Sequence, residues 1–140
     1  MIYSVSSLQT VADCNTMLSM ANNDKSALLL KQADLQLTKT RYQQTAVDVE
    51  AELPLVQAEV ASKTASVASA PEGSVKELYK HQLRKAESKL YVLTTKKAAY
   101  GSIAVLDKEW ELARVEHDLT EVDALIAAIE ARKVELEQQG

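Results

Sequence analysis

Ala70-Pro71-Glu72-Gly73-Ser74-Val75-Lys76-Glu77 is the only concentrated turn signal in a chain of 140 residues, and it falls almost at the midpoint. Pro71 fixes its own φ and Gly73 accepts conformations closed to other residues, so together they mark a chain reversal. Ser74-Val75-Lys76-Glu77 has the spacing of a capping box. In that motif the Ser hydroxyl accepts from the backbone N–H three residues on, and the Glu carboxylate reaches back. The spacing predicts a helix over about 74–138 with one candidate break, Gly101. Upstream of the turn at 70–73, helix-compatible sequence reaches back to about Ser7, where Ser6-Ser7-Leu8-Gln9 is a second capping-box pattern. The first helix is therefore expected over about 7–69, with a candidate break at Asn22-Asn23-Asp24 and a kink at Pro54.

Periodicity gives the same plan. Leu28, Leu35, Tyr42, Val49 and Val56 recur every seven residues, with Ala46, Leu53, Val60 and Val67 between them. In the second half Leu83 and Leu90 interleave with Tyr79, Ala86, Leu93 and Tyr100; further on, Leu112, Leu119 and Ile126 interleave with Val115, Val122, Ile129 and Leu136. Two apolar positions per seven make a coiled-coil seam. The two seams of the second half are out of phase, and the shift falls near Gly101-Ser102, as a stutter or a true break. Tyr42, Tyr100 and Trp110 fall at or near seam positions and read as core, with Tyr42 opposite Tyr100 if the chain folds near residue 72.

Charge tests that fold independently. Asp48, Glu50, Glu52 and Glu59 are set against Arg84, Lys85, Lys89, Lys96 and Lys97. Lys25, Lys31, Lys39 and Arg41 are set against Asp107, Glu109, Glu111, Glu116 and Asp118. Flanking charges of this kind select orientation and register more than they add stability. The expected fold is thus all-α: a single all-helical domain over residues 1–140, built as a long antiparallel, coiled-coil-like helical hairpin. The alternative is a compact three- or four-helix bundle, which follows if two of the three candidate breaks are real.

Composition narrows the function classes. Hydrophobic residues are 46% and charged residues 26%, too apolar for a disordered tail. Three Gly and two Pro are too few for a turn-rich β-fold. No run of about 18 apolar residues exists to span a membrane. A net charge of −4 argues against a dedicated nucleic-acid binder. The lone Cys14 allows no internal disulfide, and Met1 to Ser7 lacks the basic residues of a secretory signal, so a cytoplasmic location is expected.

Chemistry-bearing motifs are sparse. His81 and His117 are the only histidines, and positions 78 and 114, three residues before them, are Leu and Arg. Neither histidine therefore sits in the Glu-x-x-His pair of a di-metal bundle. Cys14 has no basic neighbour to activate its thiol. There is no Gly-rich phosphate loop and no nucleophile elbow. No catalytic, metal or cofactor-binding residue is assigned, and a non-enzymatic role is expected.

Apolar residues lie beyond the seam, and the chain up to Asn23 carries one charge, Asp13. Such surplus marks interfaces. Leu8, Val11, Leu18, Met20, Leu30, Leu37, Leu125 and Ile129 are the expected interface, with a homodimer closing a four-helix bundle or a protein partner docking by helix packing; the alternative cover is internal, with the N-terminal segment folded back onto its own hairpin. The alternative is an export or assembly chaperone, or adaptor, that holds a partner's amphipathic helix. The expected shape is similar to that of small hairpin accessory proteins of bacterial flagellar and secretion systems, in architecture alone. A third reading places nucleic acid on the basic stretch Lys76–Lys97, against which the neighbouring acidic block weighs.

Overall fold

The computed structural model describes residues 2–139, and every regular element among them is helical. A 3₁₀ turn, Val5–Ser7, precedes three α-helices: α1 (Val11–Ser69), α2 (Ser74–Tyr100) and α3 (Ser102–Gln139). The long helices pack along apolar seams. They form two compact units, one made of residues 1–38 with 108–140, the other of residues 39–107.

α1 starts at Val11, later than the Ser6–Gln9 pattern suggested. Thr10 is its cap: the Thr10 Oγ1 accepts from the Asp13 N–H at 3.1 Å, and the Thr10 carbonyl accepts from the Cys14 N–H. Asp13 in the first turn also complements the helix dipole. The Gln9 side chain instead donates to the Ser6 and Ser7 carbonyls and holds the 3₁₀ turn. Asn22-Asn23-Asp24 does not interrupt α1, and Pro54 lies inside it. Pro54 removes one backbone donor, and its ring is exposed.

The turn before α2 is built differently from the capping box. Gly73, at φ 139°, takes the reversal and is the N-cap, with no side-chain cap bond. Its carbonyl accepts from the Glu77 N–H. Ser74 is already the first helical residue, so its hydroxyl is past the capping position. Glu72 and Glu77 pair with Lys76 and Lys80 at 2.9 and 3.3 Å.

In the first unit α1 packs on α3. Leu35, Leu112, Val115 and Leu119 form a buried cluster with Leu28 against it, and Cys14, Ala21 and Ile129 are buried as well. In the second unit α1 packs on α2 through Val49, Val56 and Leu93, with Leu53 and Leu90 alongside. Tyr42 and Tyr100 meet edge-to-face there, with ring centroids 4.9 Å apart. The fully or partly buried α1 residues Cys14, Ala21, Leu28, Leu35, Tyr42, Val49 and Val56 keep one seven-residue spacing throughout. Trp110 departs from the expected core. Leu112, Val115 and Leu119 take the seam of α3, which leaves Trp110 off it and 64% exposed. The Arg114 guanidinium covers its ring at 4.9 Å instead.

The phase shift between α2 and α3 is a true break. Gly101 has extended backbone, φ −78° and ψ −168°, as the C-cap of α2. Its carbonyl accepts from the Val105 N–H and opens α3. Those angles suit any residue, yet a Cβ at this position would lie 2.5 Å from the Lys97 carbonyl oxygen. Glycine is required here by close approach rather than by φ. Gly101→Ala is expected to lower unfolding stability by about 1–3 kcal/mol, the usual cost of overpacking. Urea denaturation followed by circular dichroism measures it, and an unchanged midpoint contradicts the close approach.

Candidate functional site

The expected interface residues fall into three environments. Ile129 has no exposed surface. Leu8, Val11, Leu18 and Leu125 are half-buried. Met20, Leu30 and Leu37 stand in solvent, Leu30 at 75% exposure. The structure brings Leu8, Leu125 and Ile129 together, because residues 2–10 lie back as a strap over α1 and α3. With Tyr3, Val5 and Met17 they line a recess of about 250 Å³.

Two long-range bonds hold this strap. The Tyr3 hydroxyl donates to the Glu121 carboxylate at 2.6 Å. The Arg132 Nε–H donates to the Leu8 carbonyl at 3.1 Å, while its Nη1 pairs with Glu135. The Tyr3 hydrogen bond holds the Glu121 carboxyl below the usual carboxylate range, and the nearby His117 adds a smaller pull the same way. The same bond, and the Glu121 charge behind it, pushes the Tyr3 phenol up. Both shifts describe one bond, which favours neutral phenol against ionised carboxylate. The fold-back of the N-terminal segment is the alternative weighed from the sequence; its two anchors are not, since nothing in the spacing of Tyr3 and Arg132 links them to partners more than a hundred residues away.

A second recess belongs entirely to the other unit. Ala46, Val49, Glu50, Thr94, Lys97, Ala98, Gly101, Ser102 and Ile103 enclose about 430 Å³. Its lining includes the small residues Ala46, Ala98 and Gly101 beside the buried Val49, and Ile103 in it is 85% exposed. Sequence signals for it were the Ala98-Ala99 pair and Gly101, which leave space where the seam would otherwise be filled.

The acidic block Asp48, Glu50, Glu52 and Glu59 meets its basic counterpart less directly than the signs suggested. Lys25 bridges to Asp123 at 2.7 Å, about one turn beyond the residue opposite it in a hairpin folded near residue 72. Lys31 shares a small polar recess with Glu111, Arg114 and Asp118. Among the described residues, no ion pair joins Asp48, Glu50, Glu52 or Glu59 to Arg84, Lys85, Lys89, Lys96 or Lys97, and both sets are exposed. Their attraction acts through solvent and is screened by salt. Among the described residues no three His, Cys, Asp or Glu side chains gather into a metal-holding group, and no helix is long and apolar enough to cross a membrane.

The strap should respond to pH in a predictable way. Glu121 is depressed on folding, so its contribution is present above its ordinary value and is lost as pH falls through the depressed one. Tyr3 is raised, so its contribution is present below the ordinary phenol value and is lost as pH rises through the raised one. Proteolytic protection of residues 2–10, read by mass spectrometry after brief digestion, is expected to be greatest between these limits. Tyr3→Phe should lower that maximum and flatten both edges; an unchanged profile contradicts the assignment. No family model, curated protein or solved structure matches this chain.

Proposed function

We propose that this chain is a non-enzymatic interaction module that self-associates through helix–helix packing. One observation carries the reading: the helices expose large apolar side chains well beyond those their seams use. Leu30, Leu55, Tyr91 and Ile103 are 75, 72, 74 and 85% exposed, and Leu106 and Trp110 are 64% exposed. Scattered exposed apolar residues are ordinary, but large ones recurring along helices with narrow cores are the surface that oligomeric bundles bury. Leu30 and Leu37, two of the expected interface residues, are seven residues apart and so lie on one face of α1. Symmetric homodimers are the commonest closed solution to a surplus of this kind.

A second reading, an export or assembly chaperone or adaptor, is favoured by the strap. The recess beneath it suits the apolar face of a partner's amphipathic helix, and two hydrogen bonds are a modest closure. On this reading the strap opens when the client helix binds. The basic stretch Lys76–Lys97 is partly occupied by Glu72 and Glu77, which leaves nucleic acid the weakest of the three readings.

Light scattering in line with size exclusion decides the first reading. The expected mass is twice 15.4 kDa at micromolar concentration. A mass of 15.4 kDa at every concentration overturns self-association and leaves the chaperone reading to be tested by strap proteolysis with and without client helix.

A further inference from the structure

We propose that the recess around Gly101 is one half of a two-fold contact between copies of this chain, in which each copy's Ile103 enters the recess of the other and Glu50 pairs with the partner's Lys97. The inference rests on the self-association reading and adds the surface and the pairing to it.

The argument begins with the requirement of a two-fold contact. The same patch must serve both sides, so it has to carry both halves of every interaction it makes. Few surfaces meet that condition, and this one does in two ways. It carries a knob and a hole: Ile103, 85% exposed, lines a recess of about 430 Å³ together with Ala46, Val49, Ala98 and Gly101. The recess exceeds what one branched aliphatic side chain fills. Leu106, 64% exposed and one turn further along α3, can follow Ile103 toward the partner.

It also carries one acid and one base. Glu50 and Lys97 line the same recess, and neither makes an ion pair among the described residues. A two-fold rotation brings Glu50 of each copy toward Lys97 of the other, giving two ion pairs beside a central apolar contact. The patch is neutral overall, so two identical copies approach without repulsion. A strongly acidic or basic foreign partner finds no matching excess of charge there. Apolar anchor in the middle and charged pairs at the rim is the usual anatomy of a specific interface.

Sedimentation velocity on the full chain tests this with four variants. All three positions are exposed or line an open recess, so folding should survive; circular dichroism melts at monomeric dilution check that. Ile103→Asp is expected to weaken dimerisation by about 30-fold or more, as loss of a central anchor does. Glu50→Lys and Lys97→Glu should each weaken it by about tenfold, and the double variant Glu50→Lys with Lys97→Glu should recover to within about threefold of the parent. Recovery in the double variant is the signature of direct pairing across the contact. A dimer indifferent to Ile103→Asp, or single reversals that the double does not rescue, overturns this contact while self-association stands. A parent chain that stays monomeric at all concentrations overturns both.

Discussion

A narrow apolar seam holds these helices together, and the remaining features follow from its narrowness. Cys14, Ala21, Leu35, Val49 and Val56, each under 9% exposed, belong to one seven-residue series on α1 that Leu28 and Tyr42 complete. A single buried apolar side chain contributes roughly 1.5–3 kcal/mol, so stability accumulates layer by layer along each helix pair. The buried set among the described residues contains no charged or polar residue. Nothing buried and polar therefore fixes which layer meets which. That task falls to shape, as in the edge-to-face pair of Tyr42 and Tyr100, and to sparse surface bonds such as Lys25 to Asp123. A seam of this width also leaves most of each helix surface outside it, which is why residues as apolar as Leu30 and Leu55 remain in solvent.

Much of this was legible in the sequence because it depends on period. The heptad spacing, the turn at residues 70–73 and the opposition of Tyr42 to Tyr100 rest on how many residues separate two side chains. A helix converts that count directly into direction. The seam even extends past the residues first noticed, through Ala21 to Cys14, small side chains that a scan for large aliphatics passes over. Local capping was less legible. Ser74 had the right neighbours for a capping box, but Gly73 alone could adopt φ 139°, and this moved the cap back by one residue. Trp110 was misplaced because two residues of a helix turn through about 200°, so nearness in sequence to Leu112 points it away from the seam. The strap was legible only as an alternative, a low-charge segment that could fold back on its own helices, and its anchors were not legible. Its bonds join residues 118 and 124 positions apart, and no local pattern encodes them.

The strap shows how a weakly held segment can still be ordered. Its backbone forms one short 3₁₀ turn closed by Ser7 and Leu8 onto Ser4 and Val5, and little of its surface is fully buried. Order comes from anchoring at both ends, Tyr3 on Glu121 and Leu8 on Arg132, with apolar contact between. Each anchor draws on a charged group, which makes it stronger than a neutral hydrogen bond but exposes it to titration and salt. The acidic balance of this unit sharpens the point: it holds twelve Asp and Glu against six Lys and Arg. In such surroundings a phenol that donates a proton without losing it is a better partner for Glu121 than another ionised group of the same sign.

The break at Gly101 connects fold to candidate interface. One extended residue between two helices resets the helical phase, so the apolar positions of α3 are not a continuation of those of α2. The first buried residue of α3 is Leu112, ten positions beyond its start. Ile103 and Leu106 belong to the stretch before that seam is established, and their exposure follows from the reset rather than from any polar environment. The same glycine, with Ala98 and Ala46, lacks the side-chain bulk to fill the space at the break, so the recess has the same origin. A continuous α2–α3 helix would have had neither projection nor hollow. The close approach of Gly101 to the Lys97 carbonyl thus has two consequences: it sets where one seam ends and the next begins, and it creates a surface that is complementary to itself.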